Sequence, residues 1–418
     1  MEQIAFDPAD AKAALSSLPQ RPAVFALYGA EAKDEPYIGR TPNLRGRLER
    51  LLLPSPKHPK RLQLAGRVRR IEWKLTGSEF ESLLLQFNTL EEIYGTKCLE
   101  RMHLKAPAFV RFLGSNRFPR IVVTNKPSQR EAEWAYGPFA SRAAAERYAE
   151  EALKLFLLRR CTDDLNPDPS HPGCVYSEMK MCLAPCYKGC TDERYTEEAA
   201  AVQEFLATRG ESRLVQLRRQ REQASETLDF EMAAAIHAEV QKVESVQALA
   251  PELVRPMSQS RAVIVQTAAE HLDEVAVFLY ECGKLRGPAA FSTMGMRIQN
   301  DQSGSSSLFA QPMALEPVPE ETGVRDQASG AESAAQRKAA RTMLEARMDS
   351  VLAGLEADAE APTATQRLGH LALLKRWYYR PEAKRPGEIF FPNPEGEWPV
   401  KALLRGVGRV AASSLRQG

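Results

Sequence analysis

Apolar positions along this chain fall into short strand-like runs near the start and into longer helical periods further on. Residues 22–28 (PAVFALY) predict a strand with Pro22 at its start, and residues 36–39 (PYIG) predict a second. Thr41-Pro42-Asn43 opens a helix running through Leu53. After a basic, proline-punctuated loop, VRRIEWKL reads as a strand, and Ser78 caps a helix that Gly95 ends. Strands alternating with helices in this way predict a small α/β domain. A second α/β unit follows, with the strand PRIVVTN, a loop containing YGPFAS at 136–141, and a helix over 142–158.

From Tyr195 to Ala250 the period is almost wholly helical. Thr208-Arg209-Gly210 makes one break, Ser212 caps the next helix, and Leu228-Asp229-Phe230 marks the bend of an antiparallel helical hairpin. Beyond Pro256 the pattern becomes strands joined by a turn at Cys282-Gly283-Lys284. Residues 299–333 are polar, rich in Ser, Gly and Pro, and aperiodic, which predicts a disordered loop. Helical periods at 334–357 and 363–379 and a last strand, EIFF, complete an α+β multidomain chain.

A length of 418 residues accommodates several domains, and a hydrophobic fraction of 44% suffices for their cores. No apolar run is long enough to span a membrane, and MEQIAFDPADAK lacks the basic and apolar regions of a signal peptide, so a cytoplasmic protein is expected. The net charge of +2 hides a local excess. Between Arg40 and Arg70 lie Arg45, Arg47, Arg50, Lys57, Lys60, Arg61, Arg67 and Arg69, with Glu49 as the only acid. Such a stretch suits a surface that tracks phosphates; a solvated helix face is the plainer alternative.

Five of the seven cysteines (Cys161, Cys174, Cys182, Cys186 and Cys190) are crowded into one segment, the first four spaced C-x12-C-x7-C-x3-C. In a reducing compartment clustered thiols are metal ligands more often than disulfides. Zinc ribbons pair short knuckles, and only Cys182 and Cys186 make one here, so the uneven spacing favours an iron–sulfur cluster over zinc. Cys190 is then a spare thiol, and Cys98 and Cys282 are ordinary buried ones.

The stretch RRC…PGC-VYSEMKM-C-LAP-C, followed by a Glu- and Ala-rich helix, resembles the UvrC family, the nuclease subunits of the bacterial excinuclease. That resemblance implies a 4Fe–4S cluster on Cys161, Cys174, Cys182 and Cys186. The order VFALY…YIGR…NLRGRL…ESLLLQ resembles the family's GIY-YIG nuclease domain. There two tyrosines, a basic residue, a helix arginine and a metal-holding glutamate act together. Carried over by position, Tyr37, Arg40 and Arg47 match, whereas Ala23 replaces a glycine, Phe25 replaces the first tyrosine and Gln86 replaces the glutamate. Phenylalanine has no hydroxyl to orient water, and an amide binds a hard cation far more weakly than a carboxylate. Glu81 lies on another helix face, and Glu79 is roughly 10 Å away along the axis, so neither substitutes for Gln86. Mg2+ or Mn2+ is expected only if the domain cuts.

Leu217–Val243 resembles the UVR motif through which UvrC binds UvrB, with Leu228, Phe230, Glu231 and Ala234 as contact residues and His237 and Glu239 in place of the usual Arg and Asp. The resemblance is strong over 20–250, weaker over 260–392, and finds no counterpart of the family's RNase H-like nuclease; Gly406-Val407-Gly408 reads as one Gly-x-Gly turn. The expected organisation is a GIY-YIG-like domain over 16–100, a connecting unit over 101–160, a cysteine segment over 161–192, a UVR-like hairpin over 193–250 and an α/β region over 260–395. The implied function is DNA repair through binding of double-stranded DNA, by Arg45, Arg50, Lys57, Lys60 and Arg61 among others, and of a UvrB-like partner, with an impaired nuclease. The alternatives are an active GIY-YIG endonuclease making a single incision and an iron–sulfur adaptor without DNA contact.

Overall fold

The computed structural model describes residues 1–31, 34–54, 64–294, 296–297, 316–317, 330–357 and 360–415. Three four-stranded sheets, all antiparallel, carry the fold, with helices packed on their faces. The chain is thus α+β.

The first unit contains β1 (Glu2–Ala5), α1 (Ala11–Ser16), β2 (Ala23–Tyr28), β3 (Tyr37–Thr41), α2 (Leu44–Leu52), β4 (Arg70–Leu75) and α3 (Glu79–Tyr94), with sheet order β1-β4-β2-β3. Asn43 and Ser78 cap α2 and α3 by accepting from Gly46 and Glu81 backbone N–H groups. One face of this sheet buries Phe25, Leu27, Ile71 and Trp73 against Leu15, Leu44, Leu48 and Leu52. Helix α3 lies against β2 and β3. β1 and α1 are additions to the sequence reading.

The second unit begins after α4 (Cys98–Arg101) with β5 (Ala108–Phe112), β6 (Ile121–Thr124), β7 (Ala135–Phe139) and α5 (Arg142–Leu153). Here the expected YGPFAS loop is instead strand β7. Its Gly137 is not turn punctuation: it lets the Phe109 ring close over the backbone, where a β-carbon would come within 2.5 Å. The helix expected over 142–158 stops at Leu153. The cysteine segment holds one helical turn, α6 (Val175–Glu178). Then come α7 (Asp192–Ala207), α8 (Glu211–Glu226) and α9 (Phe230–Gln247), and β8 (Arg255–Pro256) pairs with β7. The cap of α8 is Gly210, at φ +85°, rather than Ser212, which lies inside the helix.

The third sheet has the order β11-β10-β9-β14, from β9 (Arg261–Thr267), β10 (Glu274–Glu281), β11 (Lys284–Ser292) and β14 (Glu388–Phe390). The short strands β12 (Met296–Arg297) and β13 (Glu316–Pro317) pair with each other. Helices α10 (Gly330–Glu356), α11 (Ala364–Tyr378) and α12 (Val400–Leu415) complete the chain. Helix α10 starts within the expected loop 299–333, most of which lies outside the described residues. The expected Gly-x-Gly turn at 406–408 is inside α12, whose Leu403, Val407, Val410 and Ala411 make a helical apolar stripe. The C-terminal core therefore runs past residue 395.

Strands β9 and β10 are buried on both faces, which is why they read as continuous apolar runs. Val263, Val265, Val277 and Leu279 face α10 and α12, while Ile264, Ala276, Phe278 and Tyr280 face α3 and α11. Phe80 of α3 packs edge-on to Phe278 at 5.3 Å and tilted against Trp377 at 5.4 Å. Helix α3 is thus sandwiched between the first and third sheets. Among the described residues, no helix is long and apolar enough to cross a membrane.

Candidate functional site

Two places gather chemistry: the β3 edge of the first sheet, with α2 on one face and α3 on the other, and the cysteine segment between α5 and α7.

At the first, Tyr37 opens β3, and Arg47 on α2 donates its Nη2 to the Tyr37 hydroxyl at 3.4 Å. Phe25, opposite Gly39 in the β2–β3 ladder, is fully buried with its ring over that glycine and 6.1 Å from the Tyr37 ring. It serves as core. Arg40, at the far end of β3, reaches Glu79 at the start of α3 with an N–O distance of 3.6 Å. At the other end, Tyr94 donates to the Pro36 carbonyl at 2.6 Å. Helix α3 therefore runs antiparallel to β3. Gln86 shares the Glu79 face of the helix, two turns on, and falls between these two anchors.

Both nearby carboxylates are already engaged. Glu81 is buried and accepts from the Gly77 N–H at 2.8 Å; burial raises its carboxyl above the ordinary range, and that hydrogen bond pulls it part of the way back. Glu79 takes both terminal nitrogens of Arg380, just beyond α11, at 2.9 and 3.1 Å. The Arg380 hydrogen bonds hold the Glu79 carboxyl below the usual range, against its partial burial, with Arg40 and Arg376 adding to the pull. Sequence reasoning missed Arg380, because a pairing across three hundred residues leaves no local pattern.

Of the other basic residues, Arg45 donates Nε to the Leu18 carbonyl at 2.7 Å and ties α2 to the preceding segment, while Arg50 is exposed and donates to Gly46 in its own helix. Lys57, Lys60 and Arg61 lie outside the described residues.

In the cysteine segment, Cys161, Cys174, Cys182 and Cys186 are electrostatic neighbours. Burial pushes the Cys182 thiol up to about 11; the Ala184 N–H at 3.3 Å opposes this, and the other three sulfurs reinforce it. Cys190 stands apart, with Asp192 and Arg194 as its charged neighbours. Among the described residues, no three His, Cys, Asp or Glu side chains close around one metal-ion position.

Backbone and side-chain donors approach the sulfurs. Besides Ala184, the Tyr187 N–H faces Cys186 and the Arg159 guanidinium lies 3.7 Å from the Cys161 sulfur. Arg159 is buried and also donates to the Phe118 and Asp163 carbonyls. The Tyr195 hydroxyl accepts from the Arg159 N–H and donates to Pro119, which fixes α7 beside the segment. Arg159 was visible only as part of the RRC triplet. Its role emerges from its burial.

The α8–α9 bend falls at Thr227–Asp229, as expected, with Leu228 at φ +61°. At this tip Leu228 is 71% and Phe230 66% exposed. Glu231 and Ala234 are exposed on the same first turns of α9.

Residues 109–205 match the model of the UvrC/Cho excinuclease middle domain, a span that includes most of β5, α5, all five clustered cysteines and most of α7. Among curated relatives, the UvrABC system protein C of Aliivibrio fischeri is 29% identical over 239 residues, 57% of this chain and 39% of that protein. Its namesake in Pseudomonas protegens is 30% identical over 241 residues, covering 58% of this chain and 39% of that protein. In Carboxydothermus hydrogenoformans the figures are 26% over 282 residues, 67% of this chain and 46% of that protein. The matched part spans less than half the length of these relatives. No solved structure matches. The cysteine segment sits inside a recognised family module, and proteins of one name align with more than half the chain: over that span it is similar to the UvrC proteins.

Proposed function

We propose that this chain acts in nucleotide-excision repair, binding double-stranded DNA and a UvrB-like partner, with a GIY-YIG-type domain whose cutting is impaired. One observation carries the reading. The Tyr37–Arg47 pair and Arg40 flank β3, the edge strand of the first sheet, yet the position expected to hold the metal is the amide of Gln86, and Glu79 and Glu81 are both engaged elsewhere. A hard divalent cation wants carboxylate oxygens, so these residues do not suit one. What remains is fixed positive charge, which binds a phosphodiester without breaking it.

The cysteine segment fits an iron–sulfur cluster better than zinc. A zinc ion draws all four sulfurs to about 2.3 Å, whereas a 4Fe–4S cluster gives each thiolate its own iron and so holds the sulfurs further apart. The uneven C-x12-C-x7-C-x3-C spacing, in which only Cys182 and Cys186 form a short pair, favours the second arrangement. The N–H groups at Cys182 and Cys186 and the Arg159 guanidinium would stabilise the thiolates. When bound, the cluster would supply a covalent brace between α5 and α7.

The exposed Leu228 and Phe230 at the hairpin tip support helix-face recognition of a partner protein. A nicking assay on damaged duplex with Mg2+ or Mn2+ tests the central reading. Wild type is expected to cut little or not at all, and Gln86→Glu to recover cleavage. Brisk cutting by the wild type that Tyr37→Phe abolishes favours instead an active endonuclease making a single incision. Absence of salt-sensitive DNA binding sinks both in favour of an adaptor without DNA contact.

A further inference from the structure

The Glu79 carboxylate stands at the first turn of α3, where backbone N–H groups favour an anion. Arg380 grips it bidentately, and Arg40 approaches the same oxygen that Arg380 Nη2 holds. Arg376, one turn back on α11, is exposed and bears on the same carboxylate. Two guanidinium groups, one from the first unit and one from the C-terminal unit, thus meet on a single acid, and Arg376 stands one helical turn from the second of them. The side chains of Arg40, Glu79 and Arg380 are 33%, 39% and 25% exposed, so the cluster opens to solvent.

Here one negative charge meets two positive ones, so the cluster carries a net positive charge, to which the nearby Arg376 adds. Guanidinium groups arranged in a fork around a planar anion are the geometry that also receives a phosphate. The cluster and the Tyr37–Arg47 pair flank the same edge strand, β3, from its two faces, with Arg40 and Tyr37 three residues apart along it.

We propose that Arg376 and Arg380 extend the DNA-binding face of the first unit onto the C-terminal unit, with Glu79 as an internal anion that holds the arginines in place and competes with a DNA phosphate. This rests on the reading that Tyr37, Arg40 and Arg47 face DNA. It predicts that the two units grip one stretch of backbone together, and that Glu79 tunes how tightly.

The test is fluorescence anisotropy of a short labelled duplex, titrated at several salt concentrations with the full chain. Arg376→Ala and Arg380→Ala are each expected to weaken binding several-fold and to reduce the salt slope by about one, the signature of one lost phosphate contact. Glu79→Gln, which removes the competitor, is expected to tighten binding several-fold. Because Arg376 is exposed, its variant decides the question even if Arg380→Ala folds poorly. The inference is overturned if Arg376→Ala keeps wild-type affinity and slope while Arg47→Ala weakens binding, since DNA then stops at the first unit. It is also overturned if Glu79→Gln weakens binding, because the carboxylate would then only support the fold. Loss of effect at Arg47 as well would overturn the underlying DNA-binding reading.

Discussion

Gly39 has no room to spare. The Phe25 ring occupies the space above it, and a β-carbon there would meet the ring at 2.7 Å. Phe25 is itself locked in the core against Leu44 and Leu48, so it has nowhere to retreat. Gly39→Ala is therefore expected to destabilise the protein by about 1–3 kcal/mol through overpacking, seen as a lower urea midpoint at unchanged slope. The same geometry explains what could be read in advance at this site. Tyr37, Arg40 and Arg47 sit within a dozen residues of sequence and of one another, so a linear motif exposes them. Arg380 arrives from the far end of the chain, and Arg159 is marked only by being buried. Neither leaves a local trace.

Elements differ in the same way. Strands β2, β3, β9 and β10 were legible because burial on one or both faces imposes an apolar pattern, and α3 because Ser78 and Gly95 bracket it. Strand β7 and helix α12 were missed, since Gly137-Pro138 and Gly406-Val407-Gly408 look like turns when only neighbours along the chain are considered. Their glycines answer instead to Phe109 and Phe390. The α8–α9 tip is the opposite case, apolar and uncovered. Phe230→Ala or Leu228→Ser is expected to leave the melting temperature nearly unchanged yet weaken capture of a UvrB-like partner tenfold or more, by about 1.4 kcal/mol or above, in a surface-plasmon titration.

Helix α11 carries a pH dependence. His370 is buried, accepts the Leu285 N–H on Nδ1 at 3.0 Å and places Nε2 3.3 Å from Asn88 of α3. Burial, with Lys284 adding to it, holds its pKa down to about 4. A freed histidine titrates near 6.5, so below that value the unfolded chain takes up a proton that the folded chain refuses. The stabilising effect is complete above about pH 6.5 and is lost as pH falls toward 4. Between about pH 7 and pH 5 the wild type should lose roughly 2 kcal/mol more than His370→Gln in urea unfolding. Equal losses in both proteins remove His370 as the cause.

At the scale of the whole molecule, α3 joins the first and third sheets, and the cysteine segment links α5 to α7. If the four neighbouring sulfurs carry a cluster, anaerobically purified Cys182→Ser should lose its iron and its visible absorption, while Cys190→Ser should keep both, because Cys190 faces Asp192 and Arg194 instead. Stoichiometric zinc in the wild type would sink the cluster and leave the brace.

Helix α3 gives the first sheet its cover and the third sheet part of its floor. The first unit is consequently not an exchangeable cassette. Lifting it out strips Phe80, Leu84 and Phe87 on one side and bares Phe278 and Trp377 on the other. Grafting a cutting-competent homologue onto this scaffold would require those side chains to be rebuilt together, as one seam shared by donor and host.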